Sequence, residues 1–295
     1  MYTDANGAKW FKGNLHTHTT RTDGVKTPEE AIALYRGAGY DFLALTDHWV
    51  RSETVEEENF LQLSGCEFDI GSNVQEGIFH IVAIGTQQMP ALERGNFTVQ
   101  GAVDAIRACG GEAILAHPAW SLNRAEQILP IQGFAAAEIY NSVSGTPWNA
   151  RPYSGVFIDD LAVLGRLMPC SAADDAHFYN GDQTRSFIML RAESLTRENV
   201  MAALRNGDFY ATQGPLFSWS LSGSKLTVRC SPVEEVVFFS DTVYAADRVT
   251  RAHGCTEAEY LLKPNDHFAR FELRDSENRM AWSSPINVSA NAVQK

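Results

Sequence analysis

The chain has 295 residues, with 24 Lys and Arg against 36 Asp and Glu, for a net charge of −12. That length suits one large domain or two unequal ones, and the acidic balance leaves no basic face to follow a phosphate backbone, so no duplex nucleic acid is expected as a partner. The five cysteines (Cys66, Cys109, Cys170, Cys230 and Cys255) are odd in number, widely spaced and without a C-x-x-C pair, which argues against a disulfide framework or a thiolate zinc site.

Up to about residue 212 short apolar runs alternate with helix-like segments, the rhythm of β/α units. Strands are expected at Gly13–Leu15, Phe42–Leu45, Leu61–Cys66, Phe79–Ile84, Ala113–Ala116, Ala135–Ile139, Met168–Ala172 and Phe187–Leu190. Helical periodicity marks Thr27–Gly39, Thr98–Cys109 and Thr196–Arg205. The first of these carries a start signal, Thr27 as N-cap with Pro28 next and Glu30 completing a capping box. From about Pro215 alternating strands joined by Gly, Asp, Asn and Ser turns read as a small all-β unit, with a helix only around Thr256–Leu262. The expected division is therefore 1–212 and 213–295. No stretch of 18 residues is free of charge and polar breaks, and the N-terminus lacks an apolar leader core, so no membrane partner is expected and a cytoplasmic location is.

The eight histidines are unevenly placed. Six lie in the first 177 residues, each at or near a predicted strand end. In an extended segment residues i and i+2 face the same side, so His16 and His18 can reach one ion. About 0.2 such pairs are expected by chance at this composition, so the pair alone carries little. Asp23 lies in a turn; Asp47 and His48 end the run FLAL, where Asp47 can also read as a turn cap. Glu67 follows LSGC, His80 interrupts an apolar run, His117 ends AILAHP, and Asp175-Ala176-His177 repeats the i, i+2 spacing. Together these are six imidazoles and at least three carboxylates with no thiolate, a donor set suited to zinc, manganese or iron. Nine donors exceed what one ion needs, so two or three divalent ions are expected. His253 and His267, in the β unit, are expected to be ordinary.

The series HTHTTRTDG, LTDH, GCE, FHI, AHP and DAH, taken in order between His16 and His177, resembles the polymerase and histidinol phosphatase (PHP) superfamily over roughly residues 10 to 212. It is most similar to the stand-alone bacterial metal-dependent phosphoesterases. The resemblance implies a distorted (β/α)7 barrel, so the expected fold is α/β with that barrel at 1–212 and a β-sandwich-like domain at 213–295. It implies one ion on His16, His18 and Asp175, Glu67 bridging to a second on His80 and His117, and a third on Asp23, His48 and His177. Of the paired aspartates, Asp175 rather than Asp174 keeps the D-x-H spacing. The implied reaction is hydrolysis of a small phosphorylated substrate, of nucleotide or sugar phosphate type, by a hydroxide shared between metals.

Asp23 and Asp47 are candidates for general acid help to the leaving group, Asp47 being equally readable as a partner that fixes an imidazole. Arg21, Arg151 and Arg185 are the candidate phosphate-binding residues; Arg51 and Arg124 fall on neighbouring loops. Trp120, Trp148 and Tyr179 suit stacking or lid packing, and Glu138 suits support of a ligand. Two alternatives stay open, a carboxyl or carbamate esterase on the same site and a non-catalytic metal-binding module.

Overall fold

A computed structural model describes residues 1–4 and 7–289. β1 (Tyr2–Thr3) and β2 (Lys9–Asn14) lead into α1 (Pro28–Gly37) and β3 (Phe42–Ala44). The expected capping box starts α1: Thr27 Oγ1 accepts from Glu30 N at 3.3 Å, and the Glu30 carboxylate accepts from Thr27 N at 2.9 Å. β4 (Val55–Glu57), β5 (Phe60–Leu63), β6 (Gly65–Ile70) and β7 (Phe79–Ile84) follow. The run expected as one strand, Leu61–Cys66, thus divides at Ser64 between two sheets. Ser64 Oγ donates to Thr86 O at 2.7 Å, and Gly65 passes so close to Leu45 that an added Cβ would lie 2.6 Å from its carbonyl oxygen.

α2 (Val99–Ala108), β8 (Glu112–Leu115), α3 (Ala125–Ile128), β9 (Phe134–Asn141), α4 (Gly155–Val163) and β10 (Cys170–Ala173) come next. β11 (Phe187–Arg191), α5 (Arg197–Asn206) and β12 (Phe209–Thr212) end the first region. The described remainder forms β13 (Phe217–Ser222), β14 (Lys225–Ser240), β15 (Val249–Leu261), β16 (Phe268–Arg274), β17 (Met280–Trp282) and β18 (Ile286–Asn287). The helix expected around Thr256–Leu262 is instead part of β15. Buried Ala258, Tyr260 and Leu262 alternate with exposed Glu257, Glu259 and Leu261, a period of two set by pairing with β14.

The protein is a mixed α/β structure built on two sheets. One has the order β10-β9-β8-β7-β6; the other contains β13-β14-β16-β17-β12-β11-β2-β3-β5-β4. Phe11, Phe42 and Ala44 from the second share a buried cluster with Val82, Ile114 and Ala136 from the first. No continuous ladder closes the ring of a (β/α)7 barrel among the described residues. β2 and β3 are also paired outward, with β11 and β5, and the two sheets touch through isolated parallel bridges at Thr17↔Ala176 and His48↔Glu67. β7 runs antiparallel to both β6 and β8, so its N-terminal end lies beside the C-terminal end of β8, as Ile81↔Leu115 pairing shows.

The strands after residue 212 continue the larger sheet, because β17 pairs with β12 at Ala211↔Trp282 and Thr212↔Ala281. A buried guanidinium joins the same two regions. Arg270 on β16 makes a bidentate contact to Asp159 on α4 at 2.5 and 2.7 Å, and also pairs with Glu272, which accepts from Tyr153 Oη. No described helix is long and apolar enough to cross a membrane. Since Arg270 is fully buried and Glu272 nearly so, Arg270→Ala leaves uncompensated charge and should cost about 3–5 kcal/mol. Arg229→Ala, at a pair 65% and 50% exposed, should change stability by less than about 1 kcal/mol. Urea unfolding of both variants checks the contrast.

Candidate metal centre

The nine residues singled out by the motif series meet at one end of the two sheets. His16 and His18 follow β2, His48 follows β3, His117 follows β8, and Asp175 and His177 follow β10. Glu67 lies within β6, and His80 stands near the start of β7. His80 reaches this end because β7 runs in the opposite direction to its neighbours.

Three overlapping groups result, each with donor atoms within 4.8 Å of one another: His16, His18, Glu67 and Asp175; Glu67, His80 and His117; and His18, Asp23, His48 and His177. Glu67 joins the first two. Its Oε2 lies 3.2 Å from His16 Nε2, 3.1 Å from His18 Nε2 and 3.3 Å from His48 Nδ1. Its Oε1 lies 2.8 Å from His80 Nδ1 and 3.5 Å from His117 Nε2. Asp175 Oδ1 is 3.1 Å from both His16 Nε2 and His18 Nε2. Asp23, half-exposed, reaches His18 Nδ1 at 3.2 Å, His177 Nε2 at 3.4 Å and His48 Nε2 at 3.6 Å.

This arrangement fits divalent cations. Nε2 of His16 and Nε2 of His18 face each other at 3.2 Å among carboxylate oxygens, and a neutral His16 that donates Nδ1–H to Glu138 turns its lone pair into that space. His18 Nδ1, His48 Nδ1 and Asp175 Oδ1 are buried without a hydrogen-bond partner, a state that costs free energy unless something positive or polar meets them. The donors are nitrogen and oxygen only, the mix favoured by zinc, manganese and iron. Burial lowers the His16 and His18 imidazoles, but Asp175, Glu67 and their other carboxylate neighbours outweigh it and hold both well above the usual value. Burial first, with the neighbouring His18 and His80 imidazoles, keeps His48 below its usual value against the pull of Glu67 and Asp23. Burial also raises the Glu67, Asp175 and Asp23 carboxyls, yet the surrounding imidazoles hold all three below the usual range.

Ring orientation is set from outside the cluster. Glu138 accepts from His16 Nδ1 at 2.8 Å with one oxygen, and with the other from the His117 amide at 2.9 Å and Asn141 Nδ2 at 2.8 Å. This supporting role is the one expected for Glu138. His117 Nδ1 meets Ser121 Oγ at 3.2 Å and His177 Nδ1 meets the Asp175 carbonyl at 2.7 Å, so each presents Nε2 to the cluster. Asp47 touches no imidazole. Its carboxylate accepts from Thr19 N and Oγ1, both at 2.7 Å, and from Thr22 Oγ1 at 2.9 Å, which fixes the loop carrying Asp23. The turn-cap reading of Asp47 is therefore the one the contacts favour. Asp174 points away, accepting from Tyr35 Oη and from the amides of Thr184, Arg185 and Ser186.

The cavity beside the cluster is lined by neither Arg21, Arg151 nor Arg185. All three are exposed, and Arg185 contacts the Gly181 carbonyl. Arg51 binds the Thr86 carbonyl at 2.7 Å and Arg124 contacts that of Gln75. Tyr179 Oη donates to the His18 carbonyl at 2.7 Å, a buttress rather than a stacking face. His253 and His267 pair locally with Glu234 and Asp241, away from the cluster. Sequence reading missed Asn141, which also donates to Asp175 Oδ2 at 3.2 Å, and Phe178, which lines the cavity. Their positions just past β-strand motifs, in EIYN and DAHF, were the available signals.

Two outcomes follow. Above pH 6.5 the ion-free folded protein holds more protons on His16 and His18 than the unfolded chain does, so that stabilisation is complete below 6.5 and is lost as pH rises through the raised folded values. The depressed carboxyls stabilise above the ordinary carboxylate range and lose that effect as pH falls. Chelator-treated protein should therefore melt highest at mildly acidic pH, between the ordinary carboxylate range and 6.5, while cation uptake should release protons and tighten as pH rises; melts across pH and calorimetry in two buffers check this. Glu138→Gln removes the acceptor of the His16 proton and should weaken metal affinity by about 10- to 100-fold, measured by competition with a chelating dye.

No protein-family model matches the chain, and no curated protein matches it at a significant level. Among solved structures, a two-domain protein from Bacteroides vulgatus ATCC 8482, named as containing a predicted PHP-like metal-dependent phosphoesterase, aligns over 97% of this chain and 98% of its own at 14% identity, with a TM-score of 0.56. A candidate metal-dependent phosphoesterase from Bifidobacterium adolescentis ATCC 15703 aligns over 56% of this chain and 87% of its own (14% identity, TM-score 0.43). An amidohydrolase from Chromobacterium violaceum, solved with sulfate and no metal, aligns over 58% and 89% (18% identity, TM-score 0.41). The chain therefore shares the fold of the Bacteroides vulgatus structure, and its motif series from His16 to His177 lies on that fold.

Proposed function

We propose that the protein is a metal-dependent hydrolase of phosphoric esters acting on a small substrate. The observation that carries this reading is the buried Glu67 carboxylate, whose two oxygens serve two separate histidine groups. His16, His18, Glu67 and Asp175 would hold one ion, Glu67, His80 and His117 a second, and Asp23, His48 and His177 a third. Zinc, manganese or iron bound there would lower the pKa of a coordinated water and offset charge on phosphoryl oxygens.

The chain's own residues supply orientation. Glu138 fixes His16 and the His117 backbone, Ser121 fixes the His117 ring, and Asp47 fixes the Thr19–Asp23 loop. We read Asp23, half-exposed at the cavity, as a ligand of the third ion; the leaving-group role expected for it would require that position to be empty. The 1–212 and 213–295 division, the barrel-type reading of the seven strands around the cluster, and a cytoplasmic location belong to the same proposal.

Protein loaded with manganese or zinc should hydrolyse p-nitrophenyl phosphate, and His16→Ala and His117→Ala should each lower kcat/KM by at least about 100-fold. Comparing a phosphoester with a carboxyl ester on one loaded sample tests the ester class. Turnover of the carboxyl ester alone would replace this reading with the esterase one, and failure to retain any ion would end it.

A further inference from the structure

The cluster opens on a cavity of about 260 Å³ whose remaining walls are Trp120, Val143, Ser144, Asn149 and Phe178. Among the described residues no lysine or arginine lines it. Arg94 comes near through Asp69, whose carboxylate is 4.0 Å from His48, but the guanidinium is held by Asp69 at 2.9 Å and lies over Trp49. Trp120 is fixed in place. Its ring meets His117 and His80 edge-on, at 5.0 and 5.7 Å, and its Nε1 donates to Asn149 Oδ1 at 3.1 Å. Asn149 Nδ2 in turn donates to the Val143 carbonyl, so the loop after β8 is tied to the loop after β9. Phe178 stands next to His177 and lies parallel to Trp148 at 6.2 Å. Trp120 and Phe178 remain 37% and 49% exposed beside the histidine and carboxylate cluster.

Resting on the phosphoesterase reading, we infer that the substrate class is a monoester with a single phosphoryl group whose alcohol carries a planar ring, aryl or nucleobase, packed on Trp120 and Phe178. Charge and shape agree on this. With all three positions filled, Asp23, Glu67 and Asp175 would offset three of six positive charges, and the remaining three would match one hydroxide and one dianionic phosphoryl group. A second phosphoryl group would meet the indole, Val143 and the phenyl ring with no cation to pair with, a costly desolvation. A sugar hydroxyl array would find few polar partners on this wall, because the oxygen and nitrogen of the Asn149 side-chain amide each already hold one hydrogen bond, which leaves mainly Ser144. A flat ring instead covers exposed aromatic area, and stacking of this kind is sequence-tolerant and strong.

Calorimetry on the full chain loaded with manganese tests the binding part, using phenylphosphonate and methylphosphonate, which have no ester bond to cleave. The phenyl compound should bind about 10-fold more tightly, and Phe178→Ala or Trp120→Leu should bring the ratio close to one, with metal content measured on each sample. Equal affinities in the unaltered protein, or a ratio that survives both substitutions, would overturn the inference. In turnover, phenyl phosphate and a nucleoside 5′-monophosphate should exceed both glucose 6-phosphate and a nucleoside 3′,5′-bisphosphate in kcat/KM. Preference for the sugar or the bisphosphate overturns this substrate class and leaves the phosphoesterase reading standing, whereas no phosphoester turnover beside carboxyl-ester cleavage overturns both.

Discussion

A carboxylate with 1% of its surface exposed cannot stay ionised in a protein interior without compensation, and Glu67 meets that demand with imidazoles from β2, β3, β7 and β8. The geometry of the whole end of the molecule follows from it. Strands from both sheets must converge on one point, and the bridge that connects them there, His48↔Glu67, is made by the backbone of the residue that carries the carboxylate. The other bridge, Thr17↔Ala176, sits between His16 and His18 on one side and Asp175 and His177 on the other. The sheets are thus joined where the charges are, so cohesion of the fold and assembly of the centre are one problem.

Much of that centre was legible because its chemistry is written in short-range spacing. H-x-H puts two donors on one side of an extended segment, and His16 and His18 do share a group, whereas the D-x-H pair divides, Asp175 joining them and His177 joining Asp23 and His48. Strand direction was not legible. The run Phe79–Ile84 looks like any other apolar strand, and only its antiparallel pairing explains how a histidine at its beginning joins residues at the ends of the others. The division at Ser64 was hidden for a similar reason, since an apolar run says nothing about which sheet will accept each half. Arginines proved harder still, because a solvated guanidinium and a phosphate-binding one look alike in sequence; Arg51 turns out to hold the Thr86 carbonyl.

A second tier of buried acids and amides explains part of the net charge of −12. Asp47, Glu138 and Asp174 are fully or almost fully buried, and each satisfies several donors from loops. They do not advertise an acidic surface. They set the positions of segments that would otherwise be held only by turns, which is how loops can carry a site whose members must stay within a few tenths of an ångström.

The continuity of the larger sheet has a consequence for any shortened form of the chain. Ending it after β12 would turn Ala211 and Thr212 from paired residues into an open strand edge, since their partners are Trp282 and Ala281. It would also strip Asp159 of the guanidinium it holds and uncover the Tyr140 ring on which the Trp282 indole stacks. An unpaired edge beside newly bared aromatic surface is a template for intermolecular strand addition. The strands after residue 212 thus cover an edge of the half that carries the histidine cluster.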